Sequence, residues 1–168
     1  MYINGIMKFN ISHYYKTLGI YQIIGGFYGV FALITSFSFL NMFTSLPFIV
    51  LLLVSGIWLL IDLNHKSYKL ALYNQLIQTI QFKMYGYGLM YASGFYLSLA
   101  YDAWSIEQLY LDIRSWTFIF SLFFNSSVNQ FLVAINLVPI VILLFMILFK
   151  ETVFKQTQSK VIRSADQL

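Results

Sequence analysis

Apolar residues run along this chain in four long blocks separated by shorter polar stretches. The first block, 19–40, carries no charge. About 20 helical residues cover the ~30 Å of a bilayer's hydrocarbon, so this block is long enough to cross one. A polar turn at 41–45 leads into a second block, 46–63, with Ser45 placed to cap it and Pro47 in its first turn. Asp62, Asn64, His65 and Lys66 close it. A third block covers 84–101. A fourth covers 128–149, with a bend expected around Pro139.

Between the second and third blocks, Leu70, Tyr73, Leu76, Ile77 and Ile80 recur at helical spacing, while Asn74, Gln75, Gln78 and Gln81 occupy other faces. This spacing predicts an amphipathic cytoplasmic connector over 66–82, lying on the membrane or on the bundle. Its Asn74, Gln78 and Gln81 flank is expected to face the cytoplasm and dock a membrane-protein partner. The stretch 102–127 predicts an extracytoplasmic connector, because Trp104, Ile106, Leu109 and Ile113 fall at near-helical spacing. The expected fold is an all-α integral membrane protein, a single transmembrane domain over 1–168. It is a four-transmembrane-helix bundle with amphipathic connectors.

Charge orients that arrangement. Lys8 and Lys16 precede the first block, Lys66, Lys69 and Lys83 lie between the second and third, and Lys150, Lys155, Lys160 and Arg163 follow the fourth. Only Arg114 falls on the other side. The positive-inside rule then makes both termini cytoplasmic. The first block begins late and lacks a small-x-small ending, so it reads as an uncleaved span rather than a removable signal peptide.

Composition agrees with a bilayer as the principal partner. Hydrophobic residues make up 60% of the chain and charged ones 10%, against about 25% charged in a typical soluble domain. The excess of Lys over Arg, with abundant Ile, Phe, Tyr and Asn, points to an AT-rich, bacterial source and thus to a bacterial inner membrane. The net charge of +4 follows the loops and gives no reason to expect nucleic acid.

Small residues supply candidate packing faces. Gly25 and Gly29 form a GxxxG pair in the first block, and Gly88 and Ala92 a small-xxx-small pair in the third. Such faces let helices approach closely, so the first and third spans are expected to pack through them. Tyrosine is dense in the third block. Tyr87, Tyr91 and Tyr96 lie deep enough to need hydrogen-bond partners, and with Asn136 they define a candidate pocket between spans three and four.

Other chemistry is thinly represented. The chain has no cysteine, which removes disulfides, thiolate metal sites and cysteine nucleophiles. His13 and His65 fall outside the apolar blocks, so neither haem nor a histidine zinc site is expected, and no cofactor or metal. No ionisable residue lies in the central part of any block, whereas proton-coupled exporters need one at depth. The small multidrug exporters also have four spans, but they carry a glutamate within the first, and this chain has no counterpart. Asp102, Glu107 and Asp112 are the only acidic candidates for catalysis, and their spacing suits a solvated face better. The expected role is non-catalytic: an accessory, assembly or interaction component, immunity-type proteins included. The alternative is a small-molecule or lipid carrier using the tyrosine-rich pocket.

Overall fold

The computed structural model describes residues 11–35, 39–104, 106, 108–123 and 131–150. Its elements are α1 (Ile11–Thr35), α2 (Phe39–Ile61), α3 (His65–Thr79), β1 (Ile80–Met84), β2 (Tyr87–Asp102), β3 (Leu109–Phe123), β4 (Phe131–Asn136) and α4 (Leu137–Lys150). The four-helix bundle is therefore overturned: the described residues form a mixed fold of four helices and a four-stranded antiparallel sheet. Among the described residues, α1 and α2 alone are long and apolar enough to cross a membrane.

The correction has local physical causes. Block 84–101 is rich in Tyr, which favours strands, and it carries Gly86, Gly88 and Gly94, which weaken a helix. Tyr85 and Gly86 both have positive φ, 48° and 87°, and Met84 pairs with Tyr87. That is the two-residue turn whose twist suits a hairpin. The presumed third span is thus the turn plus β2. The presumed connector 102–127 holds β3, and the presumed fourth span is β4 followed by a helix too short to cross.

Asn136 caps that helix, its Oδ1 accepting from the Val138 N–H at 3.2 Å. Pro139 follows in the first turn of α4, where a missing N–H costs nothing, so it starts a helix instead of bending one. In the second block α2 begins at Phe39, upstream of the expected start, and runs through Pro47. The connector 66–82 becomes α3 and most of β1. Asn64 starts α3, accepting from the Lys66 and Ser67 N–H groups at 2.9 Å while its own N–H donates to Ser67 Oγ at 3.0 Å.

The sheet closes on itself. β1 pairs with the start of β2 (Phe82 with Leu89) and, on its other edge, with β4 (Phe82 with Val133). β4 in turn pairs with the end of β2 (Val133 with Tyr101). All three pairings are antiparallel, so β2 must bend to meet both neighbours. Gly94, at φ 87°, sits at the bend, and a register shift follows it. β3 lies along the outer edge of β2 and accommodates the bend at Trp116, whose φ is 48°.

α1 and α2 form an antiparallel hairpin. A Cβ on Gly56 would lie 2.7 Å from the Gly19 carbonyl oxygen, and one on Gly19 2.8 Å from that of Gly56, so the backbones touch where they cross. At one end Tyr15, Leu18, Leu59, Tyr68, Ala71 and Met146 make an apolar core joining all four helices.

Candidate functional site

The site begins with an inversion of α3. Tyr73 (54% exposed) and Leu76 (48%) point outward, while Asn74 (0%), Gln75 (1%) and Gln78 (1%) are buried. Gln81, the second residue of β1, is buried as well. The Asn74, Gln78 and Gln81 flank expected to face the cytoplasm is therefore turned inward. The sheet has the same polarity. Tyr91, Ser93, Tyr96, Ser98 and Asn136 are buried, and Phe95, Leu99, Tyr101, Leu109, Leu111, Ile113 and Ile135 are exposed.

Backbone accounting explains the buried amides. Between its pairings with β1 and β4, the inner edge of β2 has no neighbouring strand across residues 90–97 among the described residues. Buried N–H and C=O groups must still be paired. Gln81 Nε2 donates to the Tyr91 carbonyl at 3.4 Å, the Ser93 N–H donates to Gln78 Oε1 at 3.0 Å, and the Tyr21 hydroxyl donates to the Ser93 carbonyl at 2.9 Å. Three side chains from α1, α3 and β1 thus stand in for a strand.

Hydroxyls complete the network. Tyr91 donates to Asn74 Oδ1 at 2.8 Å, and the same oxygen accepts from Gln78 Nε2 at 3.3 Å. Tyr96 donates to Gln81 Oε1 at 3.1 Å. Burial pushes the Tyr91 and Tyr96 phenols above the ordinary tyrosine value, so both remain neutral donors.

A second group of polar atoms lies alongside. Tyr15 and Tyr68 are in ring contact at 6.2 Å. Seven residues on in each helix, two turns along the same face, stand Gln22 and Gln75. Three residues further, Gly25 packs on Ser93, and Gln78 bonds it. Gln22 and Gln75 therefore share one level between two fixed contacts. Ser55 donates to Gln22 Oε1 at 2.8 Å. Gln22 Nε2, Gln75 Nε2 and Oε1, Asn74 Nδ2 and Ser93 Oγ are buried without a hydrogen-bond partner in the structure.

The remaining expected residues distribute as follows. Tyr91, Tyr96 and Asn136 are buried, but Tyr87 is 57% exposed, so the structure does not gather all four into one pocket. Asn136 spends its carbonyl on the α4 cap. Gly25 abuts Ser93 of β2, Gly29 abuts Ile49 of α2 and Phe118 of β3, and Gly88 abuts the β1 backbone at Phe82 and Lys83. Ala92 is buried. Asp102 accepts from the Trp104 N–H at 3.0 Å, and Asp112 pairs with Arg114 at 2.8 Å. Glu107 lies outside the described residues.

Gln22, Gln75 and Ser93 are buried polar residues that reading the sequence missed as candidates. The available signal was an amide at Gln22 inside an otherwise apolar helix. Among the described residues no Asp, Glu, Lys, Arg or His is buried, and no cluster suited to a metal occurs. A cleft of about 310 Å³ lined by Trp58, Ile61, Asp62, Asn64 and Lys66 lies at the α2–α3 corner. No protein-family model matches this chain, nor does any curated protein or solved structure.

Proposed function

We propose that the protein is a non-catalytic accessory component of a bacterial inner membrane, inserted through the α1–α2 hairpin and acting by contact with another membrane component. The observation that carries this reading is the inverted polarity. Buried polar groups among the described residues are all neutral amides and hydroxyls, and large apolar side chains such as Phe27, Phe31, Ile57, Leu144 and Leu148 face outward. In water that exterior would be a large apolar patch, whereas lipid solvates it. Neutral amides and hydroxyls provide neither a general base nor a nucleophile activated by one.

Orientation rests on charge. Lys16 near the start of α1, Lys66 and Lys69 at the start of α3, and Lys150 at the end of α4 lie at the bundle end marked by the Tyr15–Tyr68–Met146 core. By the positive-inside rule that end, with the start of α1 and the end of α4, is cytoplasmic. The chain lacks cysteine, so Lys66→Cys and Lys150→Cys give clean labels. Both are expected to resist an impermeant maleimide in intact cells and react after permeabilisation, in protein that stays in the pellet after an alkaline carbonate wash. Release by that wash, or labelling from outside, refutes insertion or orientation. A photo-crosslinker at Ile57 or Leu144 is expected to yield one discrete membrane-protein adduct, and a lipid-only product from both sites refutes the accessory role.

A second reading, a carrier of small uncharged molecules, is favoured by the unpartnered Gln22, Gln75, Asn74 and Ser93 atoms. Solute flux into proteoliposomes that Gln75→Met abolishes would favour the carrier over the accessory component.

A further inference from the structure

β3 is the terminal strand of the sheet, and among the described residues nothing pairs with its outer edge. Its far half, beside Phe118 and Phe120, is covered by the helices: Gly29 abuts Phe118, and the Phe48 and Phe120 rings are 4.8 Å apart. The near half is open, with Leu109, Leu111 and Ile113 exposed. An edge of this kind is a template for another strand, and its unpaired backbone groups would be costly beside lipid.

The side chains on that edge specify what fits. Asp112 and Arg114 sit two residues apart and therefore on one face. When a second copy of β3 runs antiparallel about Ile113, Asp112 falls opposite Arg114 of the other copy, twice. A two-fold at Asp112 would set Asp112 against itself, and one at Arg114 would set Arg114 against itself. Like charges directly opposite are destabilising and opposite charges favourable, so the pair favours the register centred on Ile113. In that register Ile113 faces Ile113 and Leu111 faces Ser115.

We propose that the protein forms a two-fold dimer by antiparallel pairing of β3 with β3 of a second copy, centred on Ile113. This adds a partner to the membrane reading without depending on the identity of any other component. It is an isologous contact, the commonest form of oligomer symmetry.

The test uses the full chain in membranes. Directly opposed residues in an antiparallel pair have Cα atoms about 4.5–5.5 Å apart, within disulfide range. Under mild oxidation Ile113→Cys is expected to run mostly as a linked dimer. Leu111→Cys should remain monomeric, since its counterpart lies about 14 Å away along the strand. On the Ile113→Cys background, Asp112→Arg should reduce linking at least several-fold. The swap Asp112→Arg with Arg114→Asp should restore it, because opposite charges again face each other. A monomeric Ile113→Cys, equal linking at Leu111→Cys, or a swap that fails to restore linking overturns the proposal. Retention in the carbonate-washed pellet is scored on the same samples, so failure of pairing is distinguishable from failure of insertion.

Discussion

The α1–α2 hairpin and the α3–sheet half bury opposite kinds of surface. The hairpin packs glycine against glycine and Leu52 and Ile49 against α1, with Ser55 hydrogen-bonded to Gln22 across it. The other half fills its interior with Asn74, Gln78, Gln81, Tyr91 and Tyr96 and turns its aliphatic residues outward. The difference comes from the backbone. A helix satisfies its own N–H and C=O groups, so two helices can meet through small residues alone. A bent strand that has lost its neighbour must obtain bonds elsewhere, and β2 obtains them from side chains. Polarity inside is therefore a consequence of strand geometry.

The largest effect should come from charge placed inside the polar half. Asn74→Glu, Gln78→Glu and Gln81→Glu together would bury three uncompensated carboxylates, each costing several kcal/mol after relaxation, against about 5–15 kcal/mol of total stability. The triple variant is expected to aggregate or be degraded. A monodisperse, folded variant in size-exclusion chromatography would put that flank outside and erase the contrast between the halves.

Overpacking probes the hairpin. Gly56→Leu drives a side chain into the Gly19 carbonyl and should cost about 1–3 kcal/mol or more, lowering the midpoint of thermal unfolding in detergent. An unchanged midpoint would show that the two backbones do not meet there.

Two glutamines in α3 sharpen the account of the polar half. Gln78→Leu leaves the Ser93 N–H buried without its acceptor and should cost about 1–3 kcal/mol. Gln75→Met removes a buried amide that has no partner, so it should be neutral or stabilising in the same unfolding assay. Equal losses would show that the two amides do the same work.

The tyrosines add a dependence on pH. Burial raises the Tyr91 and Tyr96 phenols above their unfolded value of about 10. Below that value folded and unfolded chains hold these protons alike, and the stabilisation is complete. Above it the unfolded chain releases protons that the folded chain keeps, so stability falls as pH rises. Unfolding midpoints measured from pH 8 to 11 should fall above pH 10, less steeply in Tyr91→Phe. The smallest effect belongs outside: Leu76→Ala should change stability by no more than about 0.5 kcal/mol.

The polar half was also the less legible one. β3 carries a period-two pattern, Leu109, Leu111 and Ile113 alternating with Tyr110, Asp112 and Arg114. That alternation marks a strand, but Trp104, Ile106, Leu109 and Ile113 also fit helical spacing, and length in an apolar context favoured the helix. Tyr85-Gly86 gave a turn signal in a stretch whose apolar content masked it. For 66–82, spacing set Leu70, Tyr73, Leu76, Ile77 and Ile80 apart from Asn74, Gln78 and Gln81; of the stripe Tyr73, Leu76 and Ile80 are exposed, and the three amides are buried. It could not say which side faced in, because a helix's periodicity is the same in water and in lipid.

By itself the sequence determined two uncharged apolar stretches long enough to cross a bilayer, but not that the two helices touch at Gly19 and Gly56. The capacity to cross is local and follows from hydrophobic length. The bend of β2, the closure of β1 and β4 around it, and the inward turn of the α3 amides were decided only in the tertiary structure. Those features depend on which backbone groups lack a partner after the strands have paired. That shortage is a relation between segments distant in sequence, and no single stretch of the chain records it.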